Sequence, residues 1–147
     1  MPKSVLILVV DDDADHLDVA AQMLRDAGYR VASSRSAEAA LSRAKVLKPD
    51  LILTDLAMPE VGGAAFIEHA RADPALKNVP ILAVTAHVWD EIAQAARNAG
   101  VDGFITKPFG RSELLNRVEK QLTGKPLGRS ELLSRIEKQL ARTQKTQ

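Results

Sequence analysis

Leu51-Ile52-Leu53-Thr54-Asp55-Leu56-Ala57-Met58-Pro59 is the stretch around which the rest of the chain is read. Four apolar or β-favouring residues run straight into one carboxylate, and Pro59, Gly62 and Gly63 close a loop behind it. The pattern reads as a buried strand with an acid held at its C-terminal edge. An isolated acid in that position is commonly a turn residue or a helix cap. The weight of Asp55 therefore depends on what else reaches the same edge.

Val5 to Val10 is another continuous apolar run, and it ends in Asp11-Asp12-Asp13. Continuous rather than alternating apolar runs suit strands covered on both faces, as in a parallel sheet. Leu17, Ala20, Ala21 and Leu24 then form a helical stripe stopped by Gly28. Tyr29 to Ser34 reads as a second strand. Ser36 caps a helix with stripe Ala37, Ala40, Leu41, Ala44 and Leu47, which Pro49 stops before the central strand. Beyond Gly63, the spacing Phe66, Ile67, Ala70 predicts a third helix, broken at Asp73-Pro74. Pro80 to Thr85 reads as a fourth strand. Val88, Ile92, Ala95, Ala96 and Ala99 predict a fourth helix, Gly103 to Lys107 a fifth strand, and Leu114, Leu115, Val118 and Leu122 a fifth helix.

Five alternations of strand and helix favour a parallel α/β sheet with helices on both faces. Sites in such sheets lie beyond the C-terminal ends of the strands. Those ends carry Asp11 and Asp12, Asp55, Thr85 and Lys107. The expectation is three acids, one hydroxyl and one ammonium at one edge.

Bulk properties narrow the function. At 147 residues the chain has single-domain length, and 46% hydrophobic residues suffice for one core. With no cysteine, disulfides and thiolate metal sites are excluded. A formal charge of +1 gives no reason to expect nucleic acid or an anionic membrane as partner. No apolar run is long enough to span a bilayer and no signal peptide is visible, so a cytoplasmic protein is expected.

Three clustered carboxylates repel one another unless a cation joins them, and an all-oxygen set selects a hard ion such as Mg²⁺. Two acids serving the metal leave one carboxylate free to attack phosphorus and form an acyl phosphate. Such transfer requires mainly positioning and charge neutralisation, which Lys107 and Thr85 are suited to supply.

At Val9-Val10-Asp11-Asp12-Asp13, Leu53-Thr54-Asp55-Leu56-Ala57-Met58-Pro59, Ala83-Val84-Thr85-Ala86 and Gly103-Phe104-Ile105-Thr106-Lys107-Pro108-Phe109, the chain resembles the receiver domains of two-component response regulators, the CheY-like group. The resemblance covers residues 3 to about 122. It implies a flavodoxin-like five-stranded parallel sheet in the order 2-1-3-4-5. It implies that Asp55 accepts a phosphoryl group from a phosphohistidine on a histidine kinase or histidine phosphotransfer protein. Asp12 and Asp55 would ligate Mg²⁺ with help from Asp11, and the backbone carbonyl of Ala57 would be the third protein ligand. Lys107, before a cis bond to Pro108, would contact the phosphoryl group. Thr85 would shift toward it while Phe104 rotates inward, rearranging the face built from the fourth helix, fifth strand and fifth helix, which a downstream protein reads. In the family, the positions two beyond Asp55 and Thr85 tune self-dephosphorylation; here they are Ala57 and His87.

Other polar residues read more plainly. Asp13 and Asp15 suit the first turn of a helix, where its dipole favours acids. His16 and His69 lack a second metal-type residue at useful spacing and read as surface residues. His87 either influences water near the phosphate or lies on the surface, and Trp89 either caps the helix or anchors a partner.

The division expected is a receiver domain over 1–123 and an extension over 124–147. The extension repeats the last helix: residues 107–124 and 125–142 are identical at thirteen of eighteen positions. Its stripe, Leu132, Leu133, Ile136 and Leu140, matches the face that the first copy should bury, and one domain offers one such groove. Lys107 follows a strand-like segment and Lys125 does not, so Lys125 is not expected to be catalytic. The second stripe packs on the output face or on another chain as a homodimer contact, or it is a loosely attached product of duplication.

Three rival readings fit the residues less well. A phosphohydrolase of the haloacid dehalogenase type wants a second acid two residues past its nucleophile, where Ala57 stands. A pseudo-receiver module would lack a site residue, and none is missing. A flavodoxin wants a phosphate loop after the first strand, where Asp11-Asp12-Asp13 stands instead. Too few residues follow for a helix-turn-helix domain, so output through protein contacts is expected, unless the chain is a fragment of a larger hybrid kinase or regulator. Its enzymology is then limited to its own phosphorylation and dephosphorylation.

Overall fold

A computed structural model describes residues 5–58 and 62–123. Strands and helices alternate: β1 (Leu6–Val10), α1 (Ala14–Asp26), β2 (Arg30–Ser34), α2 (Ala37–Leu47), β3 (Leu51–Asp55), α3 (Gly63–Ala72), β4 (Ile81–Thr85), α4 (Glu91–Ala99), β5 (Gly103–Thr106) and α5 (Arg111–Thr123). The five strands form one sheet in the order β2-β1-β3-β4-β5, every pair parallel. Fold class and strand order are therefore as expected from the sequence. The repeated segment, with Lys125 and the stripe at Leu132, lies outside the described residues.

The apolar runs are continuous because alternate strand residues bury on opposite faces. Ile7, Val9, Leu51, Leu53, Leu82 and Val84 meet Leu17, Leu24, Leu114 and Val118 of α1 and α5. Leu8, Val10, Ile52, Ile81 and Ala83 meet Ala40, Phe66, Ile67 and Ala96 of α2, α3 and α4. β3 and β4 are buried at all five positions. Caps define the helix starts: Asp13 accepts from the amides of Asp15 and His16, Ser36 from Ala39, and Asp90 from Ala93.

Two helical stripes need correction. In α4 the buried residues are Ala93, Ala96 and Ala99, whereas Ile92 is 49% exposed and Ala95 is also exposed. The cap at Asp90 starts the helix at Glu91 and orients its alanines inward, giving a small-residue face against the core. Val88 and Trp89 precede the helix. In α2, Leu47 ends the helix and is 38% exposed, because Lys48 closes it in the left-handed region at φ 51°.

Gly63 places α3 close behind the central strand. A Cβ there would lie 2.7 Å from the Leu56 Cα and 2.8 Å from the Asp55 carbonyl oxygen. Only glycine allows that approach, which brings the start of α3 against the end of β3 that carries Asp55.

Candidate functional site

Parallel strands bring their C-terminal ends to one edge, and four of them contribute here. Asp11 and Asp12 follow β1, Asp55 ends β3, Thr85 ends β4, and Lys107 follows β5. Register aligns them: Val10 pairs with Thr54, Asp55 with Val84, and Thr85 with Thr106. The Lys107 amide donates to the Thr85 carbonyl at 2.8 Å, which fixes its backbone past the end of β5. The Lys107–Pro108 bond is cis.

Asp11, Asp12 and Asp55 offer carboxylate oxygens within 4.8 Å of one another. Asp11 and Asp55 are buried and Asp12 is half-buried. Asp55 Oδ1 accepts from the Ala57 amide at 3.3 Å, and its Oδ2 from Lys107 Nζ at 3.4 Å. Asp11 Oδ1 accepts from the Asp13 amide at 3.0 Å, and its Oδ2 lies 4.0 Å from Lys107 Nζ. Burial pushes the Asp11 carboxyl up from its ordinary value, and the neighbouring Asp55 adds to the effect; the Asp13 amide and Lys107 oppose it. Among the described residues, one ammonium among three acids leaves the pocket short of positive charge. An all-oxygen set of this kind suits a hard divalent cation that keeps part of its water.

The remaining residues stand around this pocket. Thr85 is buried, and its hydroxyl accepts from the His87 amide at 3.3 Å and donates to the His87 carbonyl at 3.4 Å. Ala57 is exposed beside Asp55. Phe104 is partly buried against the cluster under α4, with the Arg97 guanidinium 4.8 Å from its ring centroid. His87 is exposed in the turn after Thr85. A cavity of about 450 Å³ opens here, lined by Asp11, Asp55, Lys107 and His16 and by apolar Val9, Val84 and Phe109.

Two residues near the site carried no sequence signal. His16, read as a surface residue, is exposed, yet its Nδ1 lies 3.5 Å from Lys107 Nζ. Arg35 donates to the Asp12 carbonyl at 3.1 Å from the β2–α2 loop. Only the packing of α1 and of that loop on the β1 end brings them near.

Comparison with known proteins matches this arrangement. The family described as response regulator receiver domain covers residues 7–119. Chemotaxis protein CheY-3 of Vibrio cholerae is 34% identical over 121 residues, spanning 80% of this chain and 92% of that protein. The polar-differentiation response regulator DivK of Brucella anthropi is 30% identical over 122 residues, spanning 83% and 98%. The receiver domain of sensor histidine kinase PA1611 from Pseudomonas aeruginosa superposes with a TM-score of 0.77 at 30% identity, covering 82% of this chain and 98% of that one. That structure has a magnesium ion coordinated in its active site cleft. Among the described residues here, no helix is long and apolar enough to cross a membrane. The chain belongs to the response regulator receiver domain family, the phosphorylation-switched phosphoacceptor modules of two-component signalling.

Proposed function

We propose that Asp55 is the phosphoacceptor. The observation that carries this reading is the meeting of three carboxylates within 4.8 Å and one ammonium 3.4 Å from Asp55 at a single sheet edge. In the transfer, an Asp55 oxygen bonds to the phosphorus of a phosphohistidine as the phosphorus–nitrogen bond breaks. The released imidazole nitrogen takes up a proton, and an acyl phosphate remains. Water later attacks that phosphorus and returns the carboxylate.

Lys107 neutralises a phosphoryl oxygen, and the Thr85 hydroxyl donates to another after leaving its bonds with His87. Asp11, Asp12, Asp55 and the Ala57 carbonyl are the residues that would hold Mg²⁺. When bound, Mg²⁺ supplies charge neutralisation at the phosphoryl oxygens. Ala57 and His87 flank the route by which water reaches the acyl phosphate.

The donor is a histidine kinase or a histidine phosphotransfer protein in the cytoplasm, and a downstream protein reads the α4–β5–α5 face. The receiver unit is residues 1–123, and the repeat makes 124–147 an extension, either a further contact surface or a by-product of duplication. A second reading keeps the same chemistry within a larger protein, as the receiver domain of the sensor kinase PA1611 illustrates.

The test is incubation with a small phosphodonor and Mg²⁺, read by intact mass. The wild type should gain one phosphate and Asp55→Asn none. A phosphate on Asp55→Asn would place the acceptor elsewhere.

A further inference from the structure

Arg97 makes contacts that the phosphoryl chemistry does not use. It sits in the last turn of α4. Its guanidinium carbon lies 5.0 Å from the Trp89 ring centroid and 4.8 Å from that of Phe104. One of its nitrogens donates to the Val88 carbonyl, and another reaches Gln94 Oε1 at 3.5 Å. The turn after β4, helix α4 and strand β5 therefore meet on one planar cation. The same turn holds the Thr85 hydroxyl on the His87 backbone, so residues 85–89 run unbroken from the phosphoryl pocket to Arg97.

We propose that Arg97 is a positioning residue that holds Phe104 and the Thr85–Trp89 turn in the arrangement described here, and that phosphorylation of Asp55 has to break this hold. The proposal rests on the reading of Thr85 and Phe104 as the moving pair. If Thr85 leaves His87 for a phosphoryl oxygen, the turn carrying the Val88 carbonyl and the Trp89 ring must shift. If Phe104 rotates inward, its ring leaves the guanidinium. Both movements remove partners from the same cation. Arginine suits the task because it stays charged and its flat group rests on aromatic rings while donating at its edge. Whatever favours the present arrangement weakens phosphoryl binding by the same factor, since coupling between two sites is reciprocal.

The test uses the full chain with Mg²⁺ and beryllofluoride as the phosphoryl probe. Emission of Trp89, the chain's only tryptophan, reports binding. Arg97→Met should bind beryllofluoride about fivefold more tightly than wild type, the size expected from cation–π contacts that are partly or largely exposed. Arg97→Lys should fall between the two, and affinity for Mg²⁺ alone should not change. Equal or weaker beryllofluoride binding by a cooperatively melting Arg97→Met overturns the proposal. Where that variant does not melt cooperatively, Arg97→Lys decides by the same comparison. Wild-type protein that takes no phosphate by intact mass overturns the reading of Asp55 instead. Normal phosphorylation with unchanged Arg97 variants overturns only the role of Arg97.

Discussion

Lys107 Nζ stands between two carboxylates, 3.4 Å from Asp55 Oδ2 and 4.0 Å from Asp11 Oδ2. Both acids are buried while the lysine side chain is 27% exposed, so solvent weakens the pairing without removing it. Lys107→Met should therefore cost about 1 kcal/mol of stability without divalent cations. The same change should tighten Mg²⁺ binding, because a competing cation leaves the acid pocket. Thermal melts and Mg²⁺ titrations measure the two effects. Unchanged or weaker Mg²⁺ affinity in the variant would contradict this account of Lys107.

Asp11 predicts a pH dependence of defined sign. Burial first, and then the charge of Asp55, raise its folded pKa above the ordinary 3.8. The folded protein therefore takes up that proton more readily than the unfolded chain. Ionised Asp11 costs stability above its folded pKa, and the cost fades as pH falls toward 3.8. Asp11→Asn keeps an oxygen for the Asp13 amide and removes the charge. It should melt a few degrees higher than wild type at pH 7 without divalent cations. The gap should narrow as pH falls and as Mg²⁺ is added to the wild type. A gap that widens on acidification would reverse the assignment.

Away from the pocket, Arg71 joins four segments. Its nitrogens donate to the carbonyls of Gly100 at 2.9 Å, Lys77 at 3.1 Å and Val79 at 2.7 Å, and to Asp102 Oδ2 at 2.6 Å. Asp102 Oδ2 also accepts from the Ile81 amide at 2.7 Å, which ties the start of β4 to the lead-in of β5. Arg71→Met should cost about 2 kcal/mol, since several carbonyls lose a charged donor at once. Arg71→Lys should recover only part of that, because one ammonium cannot replace a planar fork. Denaturant midpoints decide; full recovery by lysine would show that charge alone matters.

What could be read from the sequence was carried by local order along the chain. Val5–Val10 and Leu51–Asp55 announce buried strands because both faces of each strand are covered, and the acids follow directly. Thr85 and Lys107 are legible only through the parallel arrangement of the strands, since that alone brings their ends together. Arg71 and Arg97 were not legible. Their partners are mostly backbone carbonyls and rings, up to 29 residues away, and no periodicity marks a long side chain that reaches across to other segments. The α4 stripe failed for a related reason. Hydrophobicity favoured Ile92, but the Asp90 cap sets the helix phase and buries alanines instead.

Gly63 gives a prediction that separates packing from backbone freedom. Its φ is not in the left-handed region, so alanine has no conformational objection there. In a helix, alanine should even gain about 1 kcal/mol over glycine. Against that, the added methyl would lie 2.7 Å from the Leu56 Cα and 2.8 Å from the Asp55 carbonyl oxygen, both backbone atoms. The Gly63 amide already donates to the Leu56 carbonyl at 3.2 Å, so the helix cannot withdraw without losing that bond. The clash should win: Gly63→Ala should lose about 1–3 kcal/mol and weaken Mg²⁺ binding, because the strand end carrying Asp55 must move. Gly62→Ala is the control, since among the described residues a Cβ there meets nothing within 4 Å. Melting curves and Mg²⁺ titrations of the two variants compare them directly. If both behave alike, the close approach of α3 does not set the position of Asp55.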